Sequence, residues 1–310
     1  MTLKDETLEI DTQLRSHLQK ITGKQDKALE DIIFNVSGCI SRTNISVKEY
    51  IADFQSDKIF NPDCLLLDNV EMFKYFNKKY IELAAHLFAR RSTGLGTPTA
   101  ACGEGELMAI VCSPRVKISK KKNEGDLKVD NKTIELKGDG VRVFSTKSGN
   151  SFYKEMMALS KLYNFIPNEV NKGRTAFEPW KDGKTGEMWS AQFKQSGPKI
   201  AKEFLIKLMN ATGSEFSAAS IDNCFKNGIF SSHQLRCEII KSFFRNTTKE
   251  WDAFTCIKDG IIRSVSPDAT SFDALVDAGV IIPGSNEKDT VGNYFRIFNN
   301  NDLGWYFRFV

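Results

Sequence analysis

Apolar positions recur near helical spacing from the start of the chain. Between Leu3 and Ile21, residues Leu8, Leu14, Leu18 and Ile21 form the stripe of an amphipathic helix. Ser46-Val47-Lys48-Glu49 reads as a capping box before a short helix, and Asp68-Asn69-Val70-Glu71 as another before a longer one. The longer helix would carry Phe73, Phe76, Tyr80, Leu83, Ala84 and Leu87 on one core-facing side. A loop follows over 92–99, with two glycines and Pro98. Next comes a short helix from Gly103 to Cys112, with Leu107, Ile110 and Val111 on one stripe and Glu104 and Glu106 in its first turn. Acidic side chains favour that end of a helix dipole. Pro114 ends it, and Arg115 to Ser119 reads as a strand with Val116 and Ile118 inward.

The period then falls to two. Leu127, Val129, Ile134 and Leu136 alternate with Asp126, Lys128, Glu135 and Lys137 around Asp130-Asn131-Lys132, the pattern of a tight hairpin with one apolar and one charged face. Two registers fit. An Asn131-Lys132 loop sets Asp126 opposite Lys137 and Lys128 opposite Glu135; an Asp130-Asn131 loop sets Asp126 opposite Glu135. Both keep side-chain parity. Two carboxylates facing each other across a pair of strands, with Cβ atoms about 5 Å apart, repel unless a cation lies between them. A hard divalent ion takes oxygen ligands of this kind. Charged alternation on a hairpin is also the ordinary look of a solvated face, so the hairpin alone decides nothing.

Order adds more than letters: a helix beginning with acids, then three strands, with Asp126 on the second and Glu135-Leu136-Lys137 on the third. This order resembles the PD-(D/E)xK nuclease superfamily, the restriction-endonuclease-like fold. Asp126 matches the family's Asp, and Glu135-Leu136-Lys137 its acid-x-Lys triplet. Gly125 stands where Pro is common. Gly103-Glu104-Gly105-Glu106 looks like the Gly-x-Gly-Glu that precedes such hairpins in phage-encoded members, which favours Glu106 over Glu104 as the helix acid. The likeness spans roughly residues 100–165. It implies an α/β core of αβββαβ order with a mixed sheet, a helical N-terminal addition over 1–91, the nuclease core over 92–197 and a mixed α+β region over 198–310. It implies a Mg²⁺-dependent DNA endonuclease of type II restriction character, with Mn²⁺ as a substitute ion. Asp126, Glu135, the Leu136 backbone carbonyl and Glu106 would serve the metal. Lys137 would act on the attacking water and the phosphorane. The implied partner is double-stranded DNA, with a homodimer where both strands are cut. A non-catalytic DNA-binding or phage structural protein that keeps the fold is the competing reading, and an RNA nuclease a third.

Gly138-Asp139-Gly140-Val141-Arg142 follows the triplet directly. Its glycines suit close approach to a phosphate and Arg142 suits contact with one; a plain loop and strand fit equally well. Lys120 and Lys121 are further phosphate candidates beside the hairpin.

Ser151 to Phe165 reads as the crossover helix, Met188 to Phe193 as a short strand and Pro198 to Met209 as a helix. Ser217–Phe225 and Ser232–Phe244 read as two helices joined at Asn227-Gly228, which suits simple packing better than a DNA-reading helix-turn-helix. Tyr294–Phe298 and Trp305–Phe309 alternate as a hairpin, its arginines Arg296 and Arg308 outward.

Composition narrows the setting. At 310 residues the chain is long enough for two or three packed units, and a formal net charge of +4 permits a nucleic-acid partner without requiring one. Seven scattered cysteines without a CxxC pair argue against a disulfide framework or zinc finger and for reduced thiols in a cytosolic protein. The resemblance implies the cytoplasm of a bacterial or phage-infected cell as the setting, or a virion. No HExxH, P-loop or GxGxxG occurs. No apolar run reaches membrane-spanning length, so no membrane partner is expected.

Overall fold

The structure, a computed structural model, describes residues 3–90, 105–119, 125–138, 141–148, 217–226, 229–246, 251–283, 295–297 and 302–310, with the helical positions 199, 202, 203, 206, 207 and 210. In chain order its elements are α1 (Leu3–Thr22), α2 (Asp26–Ile40), α3 (Val47–Gln55), β1 (Val70–Glu71), α4 (Ile81–Phe88), α5 (Glu106–Cys112), β2 (Val116–Ile118), β3 (Leu127–Val129) and β4 (Lys132–Lys137). There follow β5 (Val141–Ser148), α6 (Ala218–Asn223), β6 (Phe225–Lys226), β7 (Ile229–Phe230), α7 (Ser232–Asn246), β8 (Ala253–Lys258), β9 (Ile261–Val265), α8 (Ala269–Asp277), β10 (Ile281–Pro283), β11 (Phe295–Ile297) and β12 (Asp302–Phe309). Short 3-10 turns lie at Pro62–Leu66, Met72–Tyr75 and Lys78–Tyr80.

The protein is of the α/β class and packs as two units. The first joins Met1–Gly138 to Lys249–Pro267 and holds a mixed six-stranded sheet in the order β1-β9-β8-β4-β3-β2. The second joins Asp139–Thr248 to Asp268–Val310. This division crosses the three-part boundaries read from the sequence. Residues 1–91 and the helix and hairpin after them belong together, and 253–265 returns from the C-terminal third to complete their sheet. The cause is pairing: β8 lies parallel to β4, with Ile134 opposite Ala253 and Lys137 opposite Cys256, and β9 folds back antiparallel on β8. Asp252 secures the start of that parallel pair. Its Oδ2 accepts the Thr133 N–H (2.8 Å) and hydroxyl (3.1 Å), and its own N–H donates to the Thr133 carbonyl (2.8 Å).

One face of the sheet carries Leu127, Val129, Ile134, Leu136, Ala253, Ile257 and Ile262 into a core shared with α1 to α5. Ser46 caps α3 as expected, its hydroxyl accepting the Glu49 N–H, while the Glu49 carboxylate pairs with Lys79. The second capping box does not form. Asn69 adopts φ +58°, Val70 and Glu71 pair with Ile262 and Ile261, and the Met72 N–H donates to the Gly260 carbonyl. The backbone of 75–77 is likewise bonded to 59–61, so strand pairing overrides helical propensity until Ile81. Helix α5 is not amphipathic: every residue from Leu107 to Cys112 is buried, because α1, α4 and β2 all touch it. The Tyr50 hydroxyl donates to the Val111 carbonyl at 2.7 Å and ties α3 to it.

In the second unit β12 pairs with β5, β10 and β11, and the predicted C-terminal hairpin forms with Phe295 opposite Trp305. Helices α6 and α7 occur where expected, but the pairing of Phe225–Lys226 with Ile229–Phe230 separates them. The connection is a small hairpin, not the tight turn of a helix-turn-helix. The readings of 151–165, 188–193 and most of 198–209 lie outside the described residues. Among the described residues no helix is long and apolar enough to cross a membrane.

Candidate functional site

The β3–β4 hairpin adopts the Asp130-Asn131 loop: Val129 faces Lys132, Lys128 faces Thr133 and Leu127 faces Ile134. Asp130 takes φ +52°, a left-handed conformation that Asp tolerates, and Arg115 holds its carboxylate at 2.7 Å. The ladder stops at Leu127. Beyond it the Asp126 N–H turns to the Ile134 carbonyl at 2.8 Å, so Asp126 is the extra residue of a bulge-like end. Bulges re-aim side chains, and here the carboxylate is aimed along β4. Its Oδ2 accepts the Leu136 N–H at 3.0 Å and the Lys137 ammonium at 2.9 Å.

Gly125 makes that path feasible. Its φ is +88°, outside proline's range, and a Cβ there would lie 2.6 Å from the Ile134 carbonyl oxygen. A proline could not take this place, and any side chain would collide where the chain passes flush against β4.

Glu135 and Lys137 share a face of β4, and the ammonium lies 2.6 Å from Glu135 Oε1. One cation is thus gripped by two carboxylates, Asp126 and Glu135. All three side chains are only 25–30% exposed. Burial pushes the Glu135 carboxyl up, and the Asp126 charge adds to this, while Lys137 opposes it. Burial works against the Lys137 ammonium, but the two carboxylates outweigh it and hold its pKa above the usual value. As arranged, the lysine is a firm cation. Proton transfer near neutral pH calls for a lysine of lowered pKa, and these neighbours shift it the other way.

In a strand the N–H and C=O of one residue point to the same side. The Leu136 N–H points at Asp126, so its carbonyl opens toward the same edge, where β3 has ended. Two carboxylates and a carbonyl form a hard-oxygen donor set suited to Mg²⁺.

Glu106 occupies the first position of α5, after Gly105 at φ +84°. Among the described residues no three His, Cys, Asp or Glu side chains gather as a metal-binding group, so Glu106 does not join Asp126 and Glu135 in this structure. Glu104, Lys120 and Lys121 lie outside the described residues. Arg142 lies on β5 of the second unit, its backbone opposite Tyr306. Gly138 ends the β4 path, and its carbonyl accepts a bond from the Cys256 thiol at 2.9 Å.

Sequence reasoning missed the residues that build this corner without carrying its charge. Cys256 stands opposite Lys137 on β8, and Asp252 fixes the register that puts it there. Residues 253–258 are buried almost throughout, and nothing local says that this strand lies beside β4. In comparisons with known proteins, no family model, curated protein or solved structure matches this chain.

Proposed function

We propose that this chain is a divalent-metal-dependent DNA endonuclease with a restriction-endonuclease-like core. The observation that carries the reading is the convergence of Asp126 and Glu135 on one cation, with Lys137 two residues beyond Glu135 on the same strand. The order of elements supports it: a buried helix, three antiparallel strands, and a fourth strand parallel to the third.

Asp126, Glu135 and the Leu136 carbonyl would hold Mg²⁺ or Mn²⁺. When bound, the ion would polarise the phosphate and activate water. Hydrolysis forms a bond from water oxygen to phosphorus and breaks the bond to the leaving sugar oxygen, which takes up a proton. The chain's own part is positional and electrostatic. The bulge at Asp126 aims one carboxylate, β4 presents the other, and the Lys137 ammonium offsets negative charge developing on the phosphoryl oxygens. Double-stranded DNA is the proposed substrate.

The competing reading, a DNA-binding or phage structural protein that retains the fold without cutting, draws on one observation. Among the described residues no third acid gathers with Asp126 and Glu135. The two readings separate when supercoiled plasmid and linear duplex are incubated with the protein in Mg²⁺, Mn²⁺ or EDTA. Cutting in either metal and not in EDTA supports the nuclease; DNA retention without cutting in any condition supports the alternative. An excess of competing RNA tests the substrate class.

A further inference from the structure

We infer that Lys137 is the resident counter-ion of the Asp126–Glu135 pair and competes with the divalent ion for it, so that metal entry expels the ammonium. The inference rests on the metal-site reading above.

The geometry carries it. The ammonium is 2.9 Å from Asp126 Oδ2 and 2.6 Å from Glu135 Oε1, and Oδ2 also accepts the Leu136 N–H. The two carboxylates are therefore already satisfied by the chain itself. Mg²⁺ demands oxygens at about 2.0–2.1 Å in near-octahedral array. It cannot approach both carboxylates that closely while an ammonium stays hydrogen-bonded to each. Charge points the same way. With the ammonium retained, a dication over-compensates two carboxylates; with it expelled, the charges balance. A lysine can make this move, because its charge rides on a flexible four-carbon stem. Lys137 is the last residue of β4, at the end where the strand's ladder with β3 has already stopped. The same movement frees the ammonium for a phosphate oxygen, so one side chain would neutralise the carboxylates before metal enters and serve the phosphate afterwards.

The test is Mn²⁺ binding, read by calorimetry and by the electron paramagnetic resonance signal of unbound Mn²⁺. It compares wild type with Lys137→Met, Lys137→Gln, Lys137→Arg and Asp126→Asn, each checked for folding by circular dichroism. The two neutral variants are expected to bind Mn²⁺ about tenfold more tightly than wild type, equal to about 1.4 kcal/mol. Lys137→Arg, which keeps a cation, is expected to show no gain, and Asp126→Asn to lose binding. Affinity in folded Lys137→Met or Lys137→Gln equal to or below wild type overturns the competition while leaving the metal site in place. Absence of Mn²⁺ binding in every variant overturns the metal site and the competition together. Tightened binding by a protein that leaves plasmid uncut sustains the competition and removes the nuclease.

Discussion

Replacing Gly125 with alanine should damage the first unit more than any other single added methyl at a left-handed glycine within it. Two costs combine. A side chain at φ +88° bears the left-handed penalty of roughly 1–2 kcal/mol. The new Cβ would also lie 2.6 Å from the Ile134 carbonyl oxygen, 2.7 Å from its carbon and 3.0 Å from the Glu135 nitrogen. These are backbone atoms of a central strand, which cannot swing aside like a side-chain tip. Forced overpacking of this kind adds about 1–3 kcal/mol. Gly23 supplies the control: its φ is +65° but an added Cβ meets nothing within 4 Å. Gly23→Ala should therefore carry only the backbone cost. The two variants should differ by about 1–3 kcal/mol, and in a unit of this size each kcal/mol lowers the melting temperature by roughly 2–4 °C. Differential scanning calorimetry of both variants measures this. The Ile134 carbonyl also accepts the Asp126 N–H, so Gly125→Ala should weaken Mn²⁺ binding as well. Equal melting losses in the two variants would refute the proposed clash.

Three further outcomes follow from the same structure. Asp252→Ala strips Thr133 of its carboxylate partner and should cost about 1–3 kcal/mol. The Thr133 backbone N–H, with Lys132 and the Thr133 hydroxyl, holds the Asp252 carboxyl below its ordinary range, so its contribution is complete above the unfolded value near 3.9 and fades as pH falls through the folded one; melting curves that keep the wild-type acid slope in the variant contradict this. His17 packs edge-on against Tyr50 and Phe54 with no partner for Nε2 among the described residues, and burial, aided by Lys20, lowers its pKa to about 4. An unfolded histidine near 6.5 takes up its proton first, so about 3 kcal/mol of stability present above pH 6.5 should be lost toward pH 4, and His17→Phe should flatten that slope in denaturant titrations. Tyr50→Phe leaves the Val111 carbonyl without its hydroxyl donor and should cost about 1–2 kcal/mol with little change in Mn²⁺ binding.

What could be read from the sequence was local. The period-two run around Asp130-Asn131 announced the hairpin and the shared parity of Asp126, Glu135 and Lys137. The choice of register and the bulge were not legible, since they depend on how Gly125 passes β4. Ser46 announced its helix because the cap and its partner lie three residues apart. Asp68 opens the same cap-x-x-Glu pattern, yet its segment forms a strand, because Ile261 and Ile262, almost two hundred residues later, pair with Glu71 and Val70. The parallel partner of β4 was hidden for the same reason. Residues 253–258 look like any buried strand, and only the Thr133–Asp252 bonds reveal where they belong.

The central claim is that Asp126, Glu135 and Lys137 form a metal-dependent DNA-cutting site. Its most direct test is conversion of supercoiled plasmid to nicked or linear form in Mg²⁺, by wild type beside Asp126→Asn and Lys137→Ala with melting temperatures recorded for all three. The account predicts cutting by wild type that EDTA abolishes, and a loss of at least a hundredfold in both folded variants. Cutting by either variant at the wild-type rate, or an uncut plasmid with wild type in both Mg²⁺ and Mn²⁺, would contradict it.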